Sequence, residues 1–246
     1  MLLRIIMKRY IAVVGERCPK TATYNLRSLP NVAEVVKLPL DTMIAEPIAD
    51  HPDSLICIFE GKLYTHAGYA KTAEKELSYI CKECSLELCP VDCERGPVYP
   101  LDCAFNALSL SDRRMLIGRK KSLAEPLKGL KTIDTNQGYA GCTALYADGT
   151  IITADPSIEK AARRENIPVY TISGKDISLP GYNEGFIGGA GGAFDKTVCL
   201  FGSPEYSQSA REVEAFCKEK EISLLCLEDG PLTDRGGVKF VKIKEL

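Results

Sequence analysis

Apolar residues in this chain come in short runs separated by charged or glycine-containing turns, and the runs recur in a fixed order. Lys8 to Gly15 (KRYIAVVG) and Ala33 to Leu38 (AEVVKL) are apolar runs of strand length, with a weakly helical stretch at Cys18 to Leu29 between them. Four longer segments read as β-hairpins. Asp53 to His66 turns at Glu60-Gly61, Cys103 to Arg119 at Ser111-Asp112, Cys142 to Ala154 at Asp148-Gly149, and Gly185 to Gly202 at Asp195-Lys196. After each hairpin comes a helical pattern and then another apolar run. These pairs are Ala70 to Cys84 with Leu86 to Val91, Ser122 to Leu127 with Lys131 to Asp134, Ser157 to Asn166 with Pro168 to Ile172, and Ser207 to Lys220 with Ile222 to Leu227. Asp155-Pro156 ahead of the third helix supplies an N-cap residue and a proline at the first helical position.

The unit strand, turn, strand, helix, strand thus appears four times, at intervals of roughly 40 to 50 residues, the spacing of propeller or solenoid repeats. Val238 to Ile243 (VKFVKI) remains as a strand without a unit, and the N-terminal strand lacks a first hairpin partner. Joining the two makes a fifth unit and closes a ring, which removes the open sheet edges of a linear array. One domain over residues 1–246 is expected.

This pattern resembles the pentein fold, an α/β propeller of five ββαβ blades about a pseudo-fivefold axis. The fold is shared by the guanidino-group-modifying enzymes (arginine deiminase, agmatine deiminase, dimethylargininase, amidinotransferase) and by translation initiation factor six. The resemblance implies that the loops leading into each first strand converge on the axis, where the enzymes bind substrate. Here those loops read LPLDT, VYPLDCAFN, DTNQGYAGC, DISLPGYNEGF and EDGPLTDRGG. They carry Asp41, Asp102, Asp134, Asp176 and Asp229 or Asp234, and converging carboxylates suit a guanidinium, an amine or a metal ion. Repulsion among them implies that Asn at Asp41 or Asp102 stabilises the ligand-free protein. Aspartates that merely cap turns are the alternative. Asn106 and Cys142 align near the axis, and Asp102 resembles the family's substrate-gripping aspartate.

The catalytic residues of the resemblance are missing. A nucleophilic cysteine is expected after a glycine pair, but Gly236-Gly237 leads to Phe240; where a histidine is expected, the chain has Tyr139. The two histidines are His51 and His66. Three readings follow: a binding protein or pseudoenzyme for a small cation; a divergent hydrolase with a relocated nucleophile, Cys142 or Cys103, aided by Asp102 and His51 or His66; and a ribosome-binding protein like the initiation factor.

Composition narrows these readings. A net charge of −2 offers no basic footprint for nucleic acid or an anionic membrane. Lys and Arg interrupt the apolar opening MLLRIIMKRYIAVVG, against a membrane span or signal peptide. Eleven cysteines without framework spacing fit reduced thiols in a cytoplasmic protein. Cys81, Cys84, Cys89 and Cys93 have metal-site spacing, but Cys81 and Cys89 align with Cys217 and Cys226 of another unit, so core positions are expected and no metal. Gly188 to Gly192 lacks phosphate-loop spacing; close backbone approach is expected there, and no cofactor.

Overall fold

The computed structural model describes residues 9–244, and what was read of residues 1–8 lies outside it. Five three-stranded sheets follow the units. They are β1 (Tyr10–Gly15) and β2 (Val32–Leu38) with the C-terminal β15 (Lys239–Lys242); β3 (Ile56–Phe59), β4 (Lys62–His66) and β5 (Glu87–Val91); β6 (Leu108–Leu110), β7 (Met115–Gly118) and β8 (Thr132–Asp134); β9 (Ala144–Ala147), β10 (Thr150–Thr153) and β11 (Val169–Thr171); and β12 (Gly191–Phe194), β13 (Thr197–Leu200) and β14 (Ser223–Cys226). In each sheet the middle strand runs antiparallel to the axial strand and parallel to the third. The fifth sheet obeys the same rule with its axial strand drawn from the other end of the chain: Tyr10 pairs with Lys242 and Val13 with Lys239.

The packing explains why the middle strands read as continuous apolar runs. A strand's side chains alternate between its two faces, and here both faces meet a neighbouring unit. Ile11 and Val13 enter one core cluster with Ile56, Leu63 and Leu77, whereas Tyr10, Ala12 and Val14 enter another with Phe194, Cys199 and Phe201. Leu116 faces back to Cys57 and Phe59, while Met115 and Ile117 face forward to Ile151 and Ile158. A fifth cluster joins Leu145 and Ile152 to Val198 and Phe216. Every cluster thus spans two adjacent units, and together the five complete a ring. The axial strands line a common central cavity that includes Ile56, Leu108, Leu145, Ala193 and Phe240.

Helices connect the second and third strands: α1 (Lys20–Arg27), α3 and α4 (Ala67–Thr72, Glu74–Cys84), α5 (Glu125–Lys128), α7 (Pro156–Arg164) and α8 (Gln208–Glu219). The turn glycines behave as expected, with Asp148-Gly149 at φ 48° and 75°, the left-handed pair a two-residue hairpin requires. The axial strands start later than the sequence suggests. Asp53 lies in a one-turn helix, α2 (Pro52–Leu55), and Cys142 in another, α6 (Ala140–Thr143). Chain entering the crowded axis curls before it extends, which places these side chains at the mouth of the ring.

Candidate functional site

The residue two positions before each axial strand is Ser54, Asn106, Cys142, Gly189 or Gly237, and these positions form a hydrogen-bonded circuit around the axis. Asn106 Nδ2 donates to Ser54 Oγ at 3.4 Å, and the Cys142 amide donates to Asn106 Oδ1 at 3.1 Å. The amide of Gly189 donates to the Cys142 carbonyl at 2.9 Å and that of Gly237 to the Gly189 carbonyl at 2.7 Å. The Asp53 amide closes the circuit on the Gly236 carbonyl at 3.2 Å. Glycine is required where the chains touch: a Cβ on Gly189 would overlap the Asp234 carboxylate, and one on Gly236, at φ 74°, would overlap His51.

Above this circuit lies a cavity of about 280 Å³, lined by His51, Asp53, Asn106, Tyr139, Cys142, Tyr182, Phe186 and neighbours. Asp234 sits beneath, fully buried, its Oδ2 accepting from the Phe186 amide at 2.9 Å and from the Cys142 thiol at 3.1 Å, and its Oδ1 from the Gly236 amide at 3.0 Å. His51 Nδ1 is 3.7 Å from Asp234 Oδ1. Asp53 is 2% exposed; Ser54 Oγ reaches its Oδ1 at 3.3 Å, but its Oδ2 has no hydrogen-bond partner. Donor atoms of His51, Asp53 and Asp234 all lie within 4.8 Å of one another.

Burial dominates the electrostatics. It raises the pKa of both Asp53 and Asp234, against the attraction of Lys239 at Asp53 and against hydrogen bonds from the Gly236 amide, the Cys142 thiol and the Phe186 amide at Asp234, and each carboxylate is disfavoured in its charged form. Burial also lowers His51, favouring neutral imidazole. For Cys142, burial and then the charges of Asp234 and Asp53 push the thiol well above its usual value. The site is short of positive charge, and its sulfur is held as a hydrogen-bond donor.

Of the expected site residues, the structure brings His51, Asn106, Cys142 and Asp234 together. Asp41 and Asp102 line a separate, much smaller cavity with His66. Asp41 is ion-paired with Arg95, and Asp102 accepts from Tyr139 Oη at 3.0 and 2.9 Å, its pKa raised by burial. His66 is fully engaged, with Nε2 2.6 Å from the Cys93 carbonyl and Nδ1 accepting from the Gly68 amide. Cys103 sits outside the cavity, its thiol donating to the Pro100 carbonyl and pushed by burial to about 12. Asp134 does not converge on the axis: it is exposed and accepts from the Lys120 amide. Nor does Asp176, which caps α8 through Ser207, Ser209 and the Gln208 amide. Neither caps its own loop's turn, since the amides they accept from lie 14 and 32 residues away in sequence. Cys84 is buried in one core cluster with Cys81 packed against it, and Cys89 and Cys93 pack against another; among the described residues the four do not group within ligating reach of one point. Phe240 stacks on Phe194 at 4.3 Å and faces the strand-lined cavity instead.

The sequence reading missed Asp53, which it placed at the start of a hairpin, and the aromatic lining from Tyr182 and Phe186. Aligning the units on their axial strands would have exposed Asp53, since it directly precedes the circuit position occupied by Ser54.

No curated protein matches the chain. Among solved structures, the chain is similar to a dimethylarginine dimethylaminohydrolase bound as an adduct to S-methyl-L-thiocitrulline, at 10% identity and a TM-score of 0.56, covering 89% of this chain and 92% of that one. It is also similar to a C. jejuni agmatine deiminase with substrate bound, at 11% identity and a TM-score of 0.52, covering 99% and 96%. A third is the Pseudomonas aeruginosa dimethylarginine dimethylaminohydrolase with citrulline, at 8% identity and a TM-score of 0.51, covering 89% and 92%. The fold is therefore that of the penteins. Residues 13–239 match the model of a family of unknown function, DUF6873, and the chain belongs to that family.

Proposed function

We propose that the protein binds a small ligand with a guanidinium or primary amine head in the cavity above the axis, without the family's cysteine and histidine chemistry. The observation that carries this reading is Asp53 Oδ2, a buried carboxylate oxygen without a partner in the cavity wall. A cationic head against it supplies the missing hydrogen bond and offsets the charge shared with Asp234. Tyr139, Tyr182 and Phe186 supply aromatic rings to the lining of the same cavity. The volume, about 280 Å³, is at the small end of ligand pockets and suits a molecule of arginine size. The fold neighbours named for dimethylarginine and agmatine suggest the ligand class.

One observation favours a hydrolase instead: Cys142 and His51 share the cavity. Against it, the thiol is held protonated by burial and by two carboxylates, the reverse of what activates a nucleophile. Calorimetric titration with agmatine, arginine and the neutral analogue citrulline tests the binding reading, with product release assayed in parallel. Binding of agmatine or arginine, none of citrulline, and no product supports it; equal binding of all three, or none, refutes it.

A further inference from the structure

The inner end of the cavity holds a mixed donor set that an organic cation does not need. His51 stands at the N-cap of α2 and Asp53 lies two residues on in its first turn, Asp234 comes from the turn before β15, and Cys142 from α6. The donor atoms of the first three lie within 4.8 Å of one another, and the sulfur is 3.1 Å from Asp234 Oδ2. Three of the four residues are held by hydrogen bonds from neighbouring segments. The amides of Phe186 and Gly236 fix Asp234, the Asp53 amide is tied to Gly236, and Asn106 anchors the amide of Cys142. Independently of the clustering, Asp53 Oδ2 is buried and unpartnered.

We propose that His51, Asp53, Asp234 and Cys142 form a binding site for a zinc-type divalent metal ion. One imidazole, two carboxylates and one thiolate match the borderline softness and fourfold coordination of Zn²⁺. Mg²⁺ and Ca²⁺ demand six or more oxygens, which this cluster does not offer. Bonds of about 2.0–2.3 Å require His51, Asp53 and Asp234 to draw in from a spread of up to 4.8 Å, with Cys142 joining from its place beside Asp234. Binding displaces the Cys142 proton to solvent, and the sulfur's lone pair passes from the thiol to the metal. The metal shares Asp53 and Asp234 with the organic cation proposed above but does not depend on it; the two compete.

The test is titration of chelator-treated protein with zinc chloride, followed by calorimetry and melting temperature. Cobalt chloride is added in a second series to read thiolate-to-metal charge transfer, and agmatine is titrated in a third. H51A and H51Q, used together in case one fails to fold, are expected to weaken zinc at least tenfold. C142S should abolish the charge-transfer band. Zinc binding equal in wild type and both His51 variants would overturn the proposal, placing the metal on other thiols. Agmatine binding with no zinc binding would also overturn it while leaving the organic-cation reading intact. Zinc binding sensitive to His51 without agmatine binding would support it and remove that reading.

Discussion

The Cys142 thiol, 3.1 Å from Asp234 Oδ2, donates its proton toward a buried carboxylate. In the ligand-free protein the sulfur is a poor nucleophile, because burial, and after it the carboxyl groups of Asp234 and Asp53, oppose a thiolate. Iodoacetamide at neutral pH should therefore alkylate Cys142 more slowly than the half-buried Cys89, as read by mass spectrometry. Faster labelling of Cys142 would revive the hydrolase reading.

Asp41 is bound to Arg95 and not repelled by an axial neighbour. Asn at Asp41 should lower stability, by about 2 kcal/mol, since it leaves a largely buried guanidinium without its counter-charge. This reverses the stabilisation expected from axial repulsion, and a thermal melt decides it.

Two aspartates at helix N-termini, Asp155 and Asp176, are expected to contribute to the acid limb of stability. At Asp155 burial raises the pKa, but hydrogen bonds from Ser157, Ile158 and Gln137 outweigh it and hold the carboxyl below 3.8. At Asp176 burial is likewise outweighed, by Ser209, Ser207 and the amides of Gln208 and Ser209. Folded values below unfolded ones mean that this stability is complete above the unfolded pKa and is lost as pH falls through the folded values. D155A should cost about 1 kcal/mol at neutral pH and flatten the decline in melting temperature below about pH 4. An unchanged acid limb in D155A and D176A would show that other groups control it.

Strand β15 supplies the axial strand of the sheet that joins the two ends of the chain. Deleting the chain from Lys239 onward exposes the edge of β1 and removes Val241 from the core cluster around Leu38 and Leu63. Loss of a cooperative thermal transition is expected, and a truncated protein that melts like the full chain would refute ring closure.

Much of the architecture was legible because its signals are local. Turn pairs such as Asp148-Gly149 mark hairpins, and apolar runs such as Tyr10 to Val14 mark strands buried on both faces. The site was less legible because it is assembled across the ring. His51 and Asp234 are distant in sequence, and no spacing rule joins them. Asp134 and Asp176 carried the same loop signature as Asp234 yet accept from donors on other segments, the Lys120 amide and the first turn of α8, which no spacing rule joins to them either. Only the packing of Gly189 and Gly236 against Asp234 and His51 distinguishes the axial acid from its look-alikes.

Asp53 carries the central claim, and the most direct measurement is the melting temperature of wild type and D53N with and without agmatine. Removing a buried, unpartnered charge should raise the ligand-free melting temperature of D53N, and agmatine should stabilise only the wild type. An equal agmatine shift in both proteins, or no shift in either, would contradict the assignment of Asp53 as the cation's partner.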